Sequence, residues 1–244
     1  MPEAPMLVLN PALDTAALAA AYAVDQRLQV RDVLTEASAE RLHRLLGFET
    51  EWGMIWQAGE AEPQLFREEL SRRMPPHQRQ EISRKLSEAM SGRDYAFLYS
   101  VYPILSAYLD RWAPGGPHEQ LLEELNSEPM LEFVRRVSGI PDLVKADAQA
   151  TLYAANQFLA VHNDWEPERG RRVAYILNLC AEDWRPDWGG YLNFYDGDGD
   201  VVAGYRPRFN AINLFTVPQS HNVTYTAPFA PVGRFAITGW FRDR

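Results

Sequence analysis

The chain lacks the features that mark secreted and membrane-bound proteins. It has one cysteine, Cys180, in 244 residues, so no disulfide can form within the chain and nothing indicates an oxidising compartment. No stretch approaches the roughly 20 apolar residues of a membrane-spanning helix. No basic segment precedes the short apolar run 6–9, as it would in a secretory signal. These absences predict a cytoplasmic protein without a membrane partner, and Cys180 is expected to be a small core residue.

The chain also has fewer basic than acidic residues. Lys and Arg number 24 against 33 Asp and Glu, which gives a net charge of -9. Because phosphate backbones are bound mainly through Lys and Arg, nucleic acid is not expected as a partner. The composition is globular, with 46% hydrophobic and 23% charged residues and no low-complexity tract. We therefore expect a single domain over residues 1–244.

Residues 1–145 have the periodicity of helices, with one early strand at 28–34. We expect helices at 14–25 behind a capping Asp14, after a capping Thr35 and ending at Gly47, at 79–91, and from Ser127 to Gly139. This mostly helical region is expected to support the remainder of the fold.

Residues 146–244 have a different texture, with short runs of β-branched and aromatic residues separated by Gly, Pro, Asp and Asn. The predicted strands are 150–161, 172–180, 190–195, 201–205, 211–215, 222–226 and 235–241. This pattern predicts a mainly β fold with a helical N-terminal half, an α+β arrangement in which helices buttress a jelly-roll, cupin-like barrel. The mouth of such a barrel is the expected place for a site.

Three residues of the barrel region have the chemistry of an iron site. His162 and Asp164 are two positions apart, so on an extended strand both face the same side. His221 stands at the head of a later predicted strand, although a core histidine is the alternative there. Two imidazoles and one carboxylate form a facial triad for non-haem Fe(II), which leaves positions for a co-substrate and O₂. The other histidines are expected at the surface: His43, His77 and His118.

Arg234 opens the last predicted strand. A buried guanidinium at this place requires an anionic partner and can bind a carboxylate through two parallel hydrogen bonds. A dicarboxylate such as 2-oxoglutarate fits, with its keto-acid end on the iron and its distal end on Arg234. The alternative is a simple ion pair with one of the 33 acidic residues.

These residues belong to a series of motifs that resembles the Fe(II)/2-oxoglutarate-dependent dioxygenases, in particular their prolyl-hydroxylase-like branch. The resemblance covers about residues 150–241, with motifs at 162–164, 171–179, 188–192, 207–210, 220–223 and 234–240. It implies a double-stranded β-helix, Fe(II) held by His162, Asp164 and His221, and a salt bridge from Arg234 to the distal carboxylate of 2-oxoglutarate.

The resemblance also implies roles for the surrounding residues. Tyr153 is similar by position to a tyrosine that hydrogen-bonds the co-substrate near the metal, and Thr238, on the face of Arg234, would be a further polar contact. Asn178 stands where some relatives carry a tyrosine that binds the distal carboxylate. Either Asn178 donates to that carboxylate, or Arg234 acts with less help. Asp164 is the carboxylate that halogenating relatives lack, which favours hydroxylation.

The implied reaction converts 2-oxoglutarate and O₂ to succinate and CO₂ and hydroxylates an unactivated C–H bond, with ascorbate as a reductant. The resemblance implies a prolyl residue of a peptide or protein as the substrate, and a free amino acid or small metabolite is the alternative. Two other function classes use the same residues: a non-catalytic barrel that binds a partner, and a zinc hydrolase on the His-Asp-His set. Neither needs a deep anion clamp at Arg234.

Overall fold

The computed structural model describes residues 5–180 and 183–244. In this part of the chain the helices are α1 (Thr15–Asp25), α2 (Glu36–Arg44), α3 (Glu68–Arg73), α4 (Pro76–Gly92), α5 (Ile104–Leu109), α6 (Pro117–Leu125) and α7 (Glu128–Ser138). None of these helices has the length and hydropathy that a bilayer span requires.

The strands form one antiparallel sheet that curls into a nearly closed barrel. They are β1 (Arg27–Arg31), β2 (Gly53–Ala58), β3 (Gln64–Phe66), β4 (Ala96–Tyr102), β5 (Lys145–Ala146), β6 (Gln149–Tyr153), β7 (Phe158–His162), β8 (Arg171–Asn178), β9 (Leu192–Tyr195), β10 (Val201–Tyr205), β11 (Ala211–Thr216), β12 (His221–Val223) and β13 (Arg234–Arg242). Their order is β1-β11-β8-β13-β6-β4-β7-β12-β9-β10, while β2 joins β3 to β4 and β5 pairs with β13. This is the predicted double-stranded β-helix with helical support.

The helix signals of the sequence are mostly confirmed. Asp14 caps α1, since its carboxylate accepts a hydrogen bond from the Ala17 amide at 3.0 Å. Gly139 ends α7 in the left-handed conformation. Gly47, however, does not end α2, because the chain continues through a π-helical turn at Leu45–Glu49. That turn buries both Leu45 and Leu46 in the core, which favours continued coiling over a glycine stop.

The prediction of a single strand in the first 145 residues was wrong. The structure places β1 to β4 there, and β4 lies inside the barrel sheet, paired with β2 on one edge and with β6 and β7 on the other. Helix α4 packs on one face of β2 and β4, where Ile82 and Leu86 meet Trp56. Because both faces of β4 are covered, its sequence lacks the simple alternation of a half-exposed strand.

The predicted strand 150–161 is divided into β6 and β7, which both pair with β4. Residues 154–157 bulge out between them. The Gln157 side-chain oxygen accepts hydrogen bonds from the backbone amides of Ser100 and Ala154, so that the bulge leaves neither donor unpaired. The bulge redirects the chain, so that Tyr153 pairs with Arg234 in one half of the barrel and His162 pairs with His221 in the other.

Candidate metal and co-substrate site

Strand pairing brings His162, Asp164 and His221 together. His162 ends β7 and lies directly opposite His221, the first residue of β12. Asp164 follows in a left-handed conformation, φ +59°, which turns its carboxylate back toward both imidazoles. Its oxygens lie 3.3 Å from His162 Nε2 and 3.4 Å from His221 Nε2. Asp164 was expected at the end of an extended strand with His162, but β7 ends two residues earlier. The left-handed turn at Asp164, not the alternation of a strand, brings its carboxylate to the imidazoles.

Backbone carbonyls orient both imidazoles. Nδ1 of His162 lies 2.9 Å from the Ala160 oxygen, and Nδ1 of His221 lies 2.7 Å from the Gln219 oxygen. A carbonyl only accepts, so each Nδ1 carries the proton and each Nε2 keeps its lone pair. The two lone pairs and the carboxylate then face one point, with ligand atoms within 4.8 Å of one another. This donor set fits a divalent metal such as Fe(II).

The charge states of His221 and Asp164 also suit a metal. Burial and the neighbouring His162 lower the pKa of His221 to about 4, so its imidazole is neutral at pH 7. Burial alone would raise the pKa of Asp164, but the two imidazoles more than offset it and the net pKa is lowered. Metal binding therefore needs no deprotonation of His221 or Asp164 near neutral pH.

The three residues line a cavity of about 900 Å³, and Tyr153, Arg234 and Thr238 line it too. The volume lies in the range of small-molecule sites. The residues predicted at the metal and most of those predicted at the co-substrate therefore share one space.

Arg234 is a buried cation without an anionic partner. It is 1% exposed, and one of its terminal nitrogens, Nη2, donates to the Asn178 side-chain oxygen at 3.2 Å. Its guanidinium lies over the Tyr153 ring, 5.2 Å from the centroid, and its Nε has no hydrogen-bond partner. Within residues 5–180 and 183–244 no carboxylate forms an ion pair with it, which removes the simple ion-pair alternative there. An unpaired buried charge is costly, and an anionic ligand beside this guanidinium would offset that cost.

Asn178 lies behind Arg234 and does not line the cavity. Its side-chain nitrogen donates to the backbone oxygens of Ile176 and Ala211, both at 3.2 Å. Its oxygen is occupied by Arg234. The sequence left two alternatives for the distal carboxylate: a second donor from Asn178, or Arg234 with less help. The structure favours the second, because Asn178 has no free donor and instead orients the Arg234 guanidinium.

A glycine lets Arg234 reach its place. Gly190, in the motif Trp188-Gly189-Gly190, has φ +68°, and a Cβ there would lie 3.3 Å from both Arg234 Cδ and the Trp184 ring. A side chain at this position would therefore crowd the arginine stem and strain the backbone.

One wall of the cavity consists of aromatic residues that were not predicted from the sequence. Tyr95, Phe97 and Tyr99, on and just before β4, all line it. Their spacing of two puts them on one face of the strand. The alternation of aromatic residues at 95, 97 and 99 is typical of a strand and could have indicated this wall from the sequence.

The cavity lining includes both charged and exposed apolar side chains. The Arg171 guanidinium carbon lies 3.6 Å from the centroid of the Trp240 ring, and Arg171 Nη1 pairs with a Glu166 carboxylate oxygen at 2.9 Å. Val161 and Trp165 line the cavity too, and both are exposed. A ligand in the cavity can therefore meet apolar and charged groups.

The remaining histidines lie outside the cavity lining. His77 is exposed as predicted. His118 is not a surface residue, since it is buried against Tyr102 with ring centroids 4.3 Å apart and Nε2 3.0 Å from the Thr50 hydroxyl. His43 is half-buried, with Nδ1 2.9 Å from the Leu179 oxygen. Cys180 is buried and free, as expected for a core residue.

Comparisons with known proteins agree with this geometry. Residues 148–242 match the sequence model of the 2OG-Fe(II) oxygenase superfamily. No curated protein sequence is detectably similar to the chain. The fold is similar to that of a Pseudomonas putida prolyl-4-hydroxylase, with a TM-score of 0.55 and 18% identity over 94% of this chain and 99% of that one.

Two further structures share the fold. One is a prolyl hydroxylase from Trichoplax adhaerens in complex with a peptide fragment of hypoxia inducible factor, with a TM-score of 0.57 and 14% identity over 94% of this chain and 89% of that one. The other is a non-haem α-ketoglutarate-dependent epimerase from nogalamycin biosynthesis, with a TM-score of 0.56 and 13% identity over 96% and 84%. Residues 148–242 are thus similar in sequence to the 2OG-Fe(II) oxygenase superfamily, and nearly the whole chain has a fold similar to that of the Pseudomonas putida prolyl-4-hydroxylase.

Proposed function

We propose that the protein is an Fe(II)- and 2-oxoglutarate-dependent dioxygenase that hydroxylates an unactivated C–H bond. The observation that carries this proposal is the unpaired, buried Arg234 in the same cavity as a His-Asp-His donor set. His162, Asp164 and His221 hold Fe(II), and Arg234 binds the distal carboxylate of 2-oxoglutarate. When bound, Fe(II) supplies the redox chemistry with O₂ that couples decarboxylation of 2-oxoglutarate to oxidation of the substrate.

The chain's own residues position the reactants. Tyr153 is buried in the cavity wall and offers its hydroxyl to the co-substrate, and Thr238 adds a polar contact from β13. Asp164 occupies the position that a halide would need, which supports hydroxylation over halogenation. Ascorbate as the reductant and a cytoplasmic location belong to the same proposal.

The proposed substrate is a prolyl residue in a peptide or protein. Two exposed apolar side chains support this, because Val161 and Trp165 line the cavity and are the chain neighbours of His162 and Asp164. Two proteins of the same fold are named as prolyl hydroxylases, one of them solved with a peptide. A free amino acid or small metabolite is the second candidate, and the shared fold of the nogalamycin epimerase favours keeping it.

The two other function classes leave Arg234 unexplained. A partner-binding barrel or a zinc hydrolase gains nothing from a desolvated guanidinium without a counter-ion, yet would bear its cost. The geometry of Arg234 therefore argues against both.

The test is turnover with a library of prolyl peptides, free amino acids and small metabolites, using Fe(II)-loaded protein, 2-oxoglutarate and ascorbate in air. We expect succinate release together with a product that has gained one oxygen atom, and neither from the His162→Ala control. Co-substrate consumption with an unchanged product mass would indicate epimerase chemistry instead. Failure to bind 2-oxoglutarate at all would overturn the proposal.

A further inference from the structure

The strand order of the sheet begins at β1 and ends at β10, and these two edge strands differ in their chemistry. In the described part of the chain, β1 pairs only with β11 and β10 pairs only with β9. β1 begins with Arg27 and ends with Arg31, and charged residues at such positions guard an edge against pairing with another strand. β10 contains no charged residue and no proline. It is therefore the less protected of the two edges.

β10 exposes apolar side chains to solvent. Ala203 and Tyr205 pack against the apolar cluster of the barrel interior. The register against β9 shifts by one residue at Val202, and the side chains of Val201 and Val202 are 56% and 49% exposed. Such a bulge commonly guards an edge, but here two neighbouring valines remain in contact with water. An exposed apolar edge strand of this kind can pair with another chain.

The turn that precedes β10 is acidic. Asp196, Asp198 and Asp200 are all exposed. The Asp196 carboxylate accepts hydrogen bonds from the backbone amides of Asp198 and Asp200, at 3.0 and 2.9 Å, and so it shapes the turn. Within residues 5–180 and 183–244, the carboxylates of Asp198 and Asp200 form no ion pair. The turn therefore presents two unpaired negative charges.

The segment that follows β10 is basic. Arg206 donates to the Trp184 backbone oxygen at 3.3 Å, and Arg208 Nε donates to the Gln29 side-chain oxygen at 2.9 Å. Both acceptors are neutral, and no carboxylate of the described residues forms an ion pair with either arginine. A strand of five residues thus has unpaired carboxylates at its start and unpaired guanidiniums after its end.

This polarity is complementary to itself when two copies of β10 run antiparallel. The start of one strand then lies beside the end of the other, so the acidic turn of each copy meets the two arginines of the other copy. Opposite charges across a strand pair stabilise it, and like charges destabilise it. Because a two-fold axis repeats every contact, the favourable charge contacts form at both ends of the pair. A parallel arrangement would bring like charges together.

We propose that the protein forms a symmetric dimer in which β10 of one copy pairs antiparallel with β10 of a second copy. In this dimer the 196–200 turn of each copy contacts Arg206 and Arg208 of the other. Only β9 separates β10 from β12, the strand that carries His221, so the pairing joins these strands of both copies into one continuous sheet. The inference does not depend on the proposed function. A single strand pair is a small interface, so we expect a dissociation constant in the micromolar range.

Sedimentation velocity over a series of protein concentrations tests the dimer. The wild-type protein should change from monomer to dimer as the concentration rises, and amide hydrogen exchange in residues 201–205 should slow over the same range. Val202→Lys places a charge on the edge and should raise the dissociation constant at least about tenfold. Val24→Lys, at a valine of α1 that is 79% exposed, is the matched control and should dimerise like the wild type.

Two charge variants test the complementarity. Asp198→Arg/Asp200→Arg makes both ends of β10 basic, and Arg206→Asp/Arg208→Asp makes both ends acidic. Each variant alone should stay monomeric at concentrations where the wild type is a dimer, because like charges then meet at both ends. An equal mixture of the two variants should form a heterodimer, because opposite charges meet again.

The control for the change of charge is Glu60→Arg/Glu62→Arg, at exposed positions in the turn between β2 and β3, which should leave the dimer intact. A wild-type protein that stays monomeric at every concentration overturns the inference. A dimer that survives Val202→Lys overturns it too, as do two charge variants with native circular dichroism that fail to associate when mixed. If the arginine variant does not fold, Val202→Lys and hydrogen exchange decide the question without it.

Discussion

Residues 146–244 and residues 5–145 contribute to the same cavity in different ways. The later region supplies the proposed metal ligands and the buried arginine, on strands β7, β12 and β13 and the turn after β7. The earlier region supplies a strand inside the barrel and, on it, an aromatic wall. The difference shows that the charged side chains of the cavity are concentrated in the later region, while the earlier region contributes an aromatic part of its wall.

The earlier region also supports His221, a proposed metal ligand, from behind. Arg27, on edge strand β1, donates to the Gln219 side-chain oxygen at 3.1 Å, and the Gln219 side-chain nitrogen donates to the Gln26 backbone oxygen at 2.9 Å. The backbone oxygen of Gln219 is the acceptor that orients His221. The corner between α1 and β1 therefore braces the segment that carries the last proposed ligand.

The largest expected effect comes from removing a ligand in the later region. His162→Ala, Asp164→Ala and His221→Ala should each abolish 2-oxoglutarate turnover and leave the fold intact, because these side chains serve a metal at the cavity wall. Succinate release and circular dichroism, measured together, check this, with His77→Ala at an exposed position as the control. Wild-type turnover in any one of the three would remove that residue from the metal site.

A smaller effect is expected at the other end of the cavity. Arg234→Lys should raise the KM for 2-oxoglutarate by about 30- to 1000-fold, or roughly 2 to 4 kcal/mol, because an ammonium cannot reproduce a two-pronged guanidinium contact. Metal affinity, measured by Mn(II) titration, should be nearly unchanged. An unchanged KM would show that the carboxylate binds elsewhere.

A stability measurement sharpens the comparison in the earlier region. Burial lowers the pKa of His118 to about 4, whereas the unfolded chain has the ordinary value of 6.5. The unfolded state therefore takes up a proton first as pH falls below 6.5, so stability drops between pH 6.5 and 4 and is level above that range. This one group should contribute about 2 kcal/mol of the loss between pH 8 and pH 5.

Substitution of His118 isolates that contribution. In metal-free protein, His118→Gln should lose less stability than wild type between pH 8 and pH 5, as measured by denaturant unfolding, while the contribution of His221 persists in both. Equal losses would show that His118 is accessible to protons in the folded state.

The smallest expected effect tests the brace at Gln219. Gln219→Leu should weaken Co(II) binding about tenfold, the lower end of the range for residues that orient a ligand. Gln219→Glu keeps an acceptor for Arg27 and should retain more of the affinity. Arg31→Gln, on the same strand as Arg27 but exposed, is the matched control and should have no effect. Equal Co(II) affinity in Gln219→Leu and wild type would show that β1 does not support the metal site.

The charged residues of the candidate site could be predicted from the sequence because this combination of residue types has few other uses. A His-x-Asp pair, a distant His221 and an Arg234 at a strand start are informative without coordinates. The left-handed turn at Asp164 and the bulge at 154–157 were not predicted, because both depend on how strands that are distant in the sequence pair within the sheet. The aromatic residues at 95, 97 and 99 were missed because β4 was not recognised as a strand of the barrel.

The burial of His118 and the contacts of Asn178 could not be predicted from the sequence either. His118 lies on α6, and its neighbour Tyr102 is on β4, so its burial depends on a helix meeting an unrecognised strand. Asn178 was assigned through a tyrosine of relatives, but its shorter side chain bonds within the sheet and to Arg234. Long-range packing decided both outcomes.

Calorimetric titration of 2-oxoglutarate into the protein with and without Mn(II) tests the central claim most directly. If the His-Asp-His set and Arg234 bind opposite ends of one diacid, the metal must strengthen 2-oxoglutarate binding, and 2-oxoglutarate must strengthen metal binding by the same factor. We predict coupling of at least about tenfold, or roughly 1.4 kcal/mol, in wild type and none in Asp164→Ala. Equal 2-oxoglutarate affinity with and without Mn(II) in the wild-type protein would contradict the account.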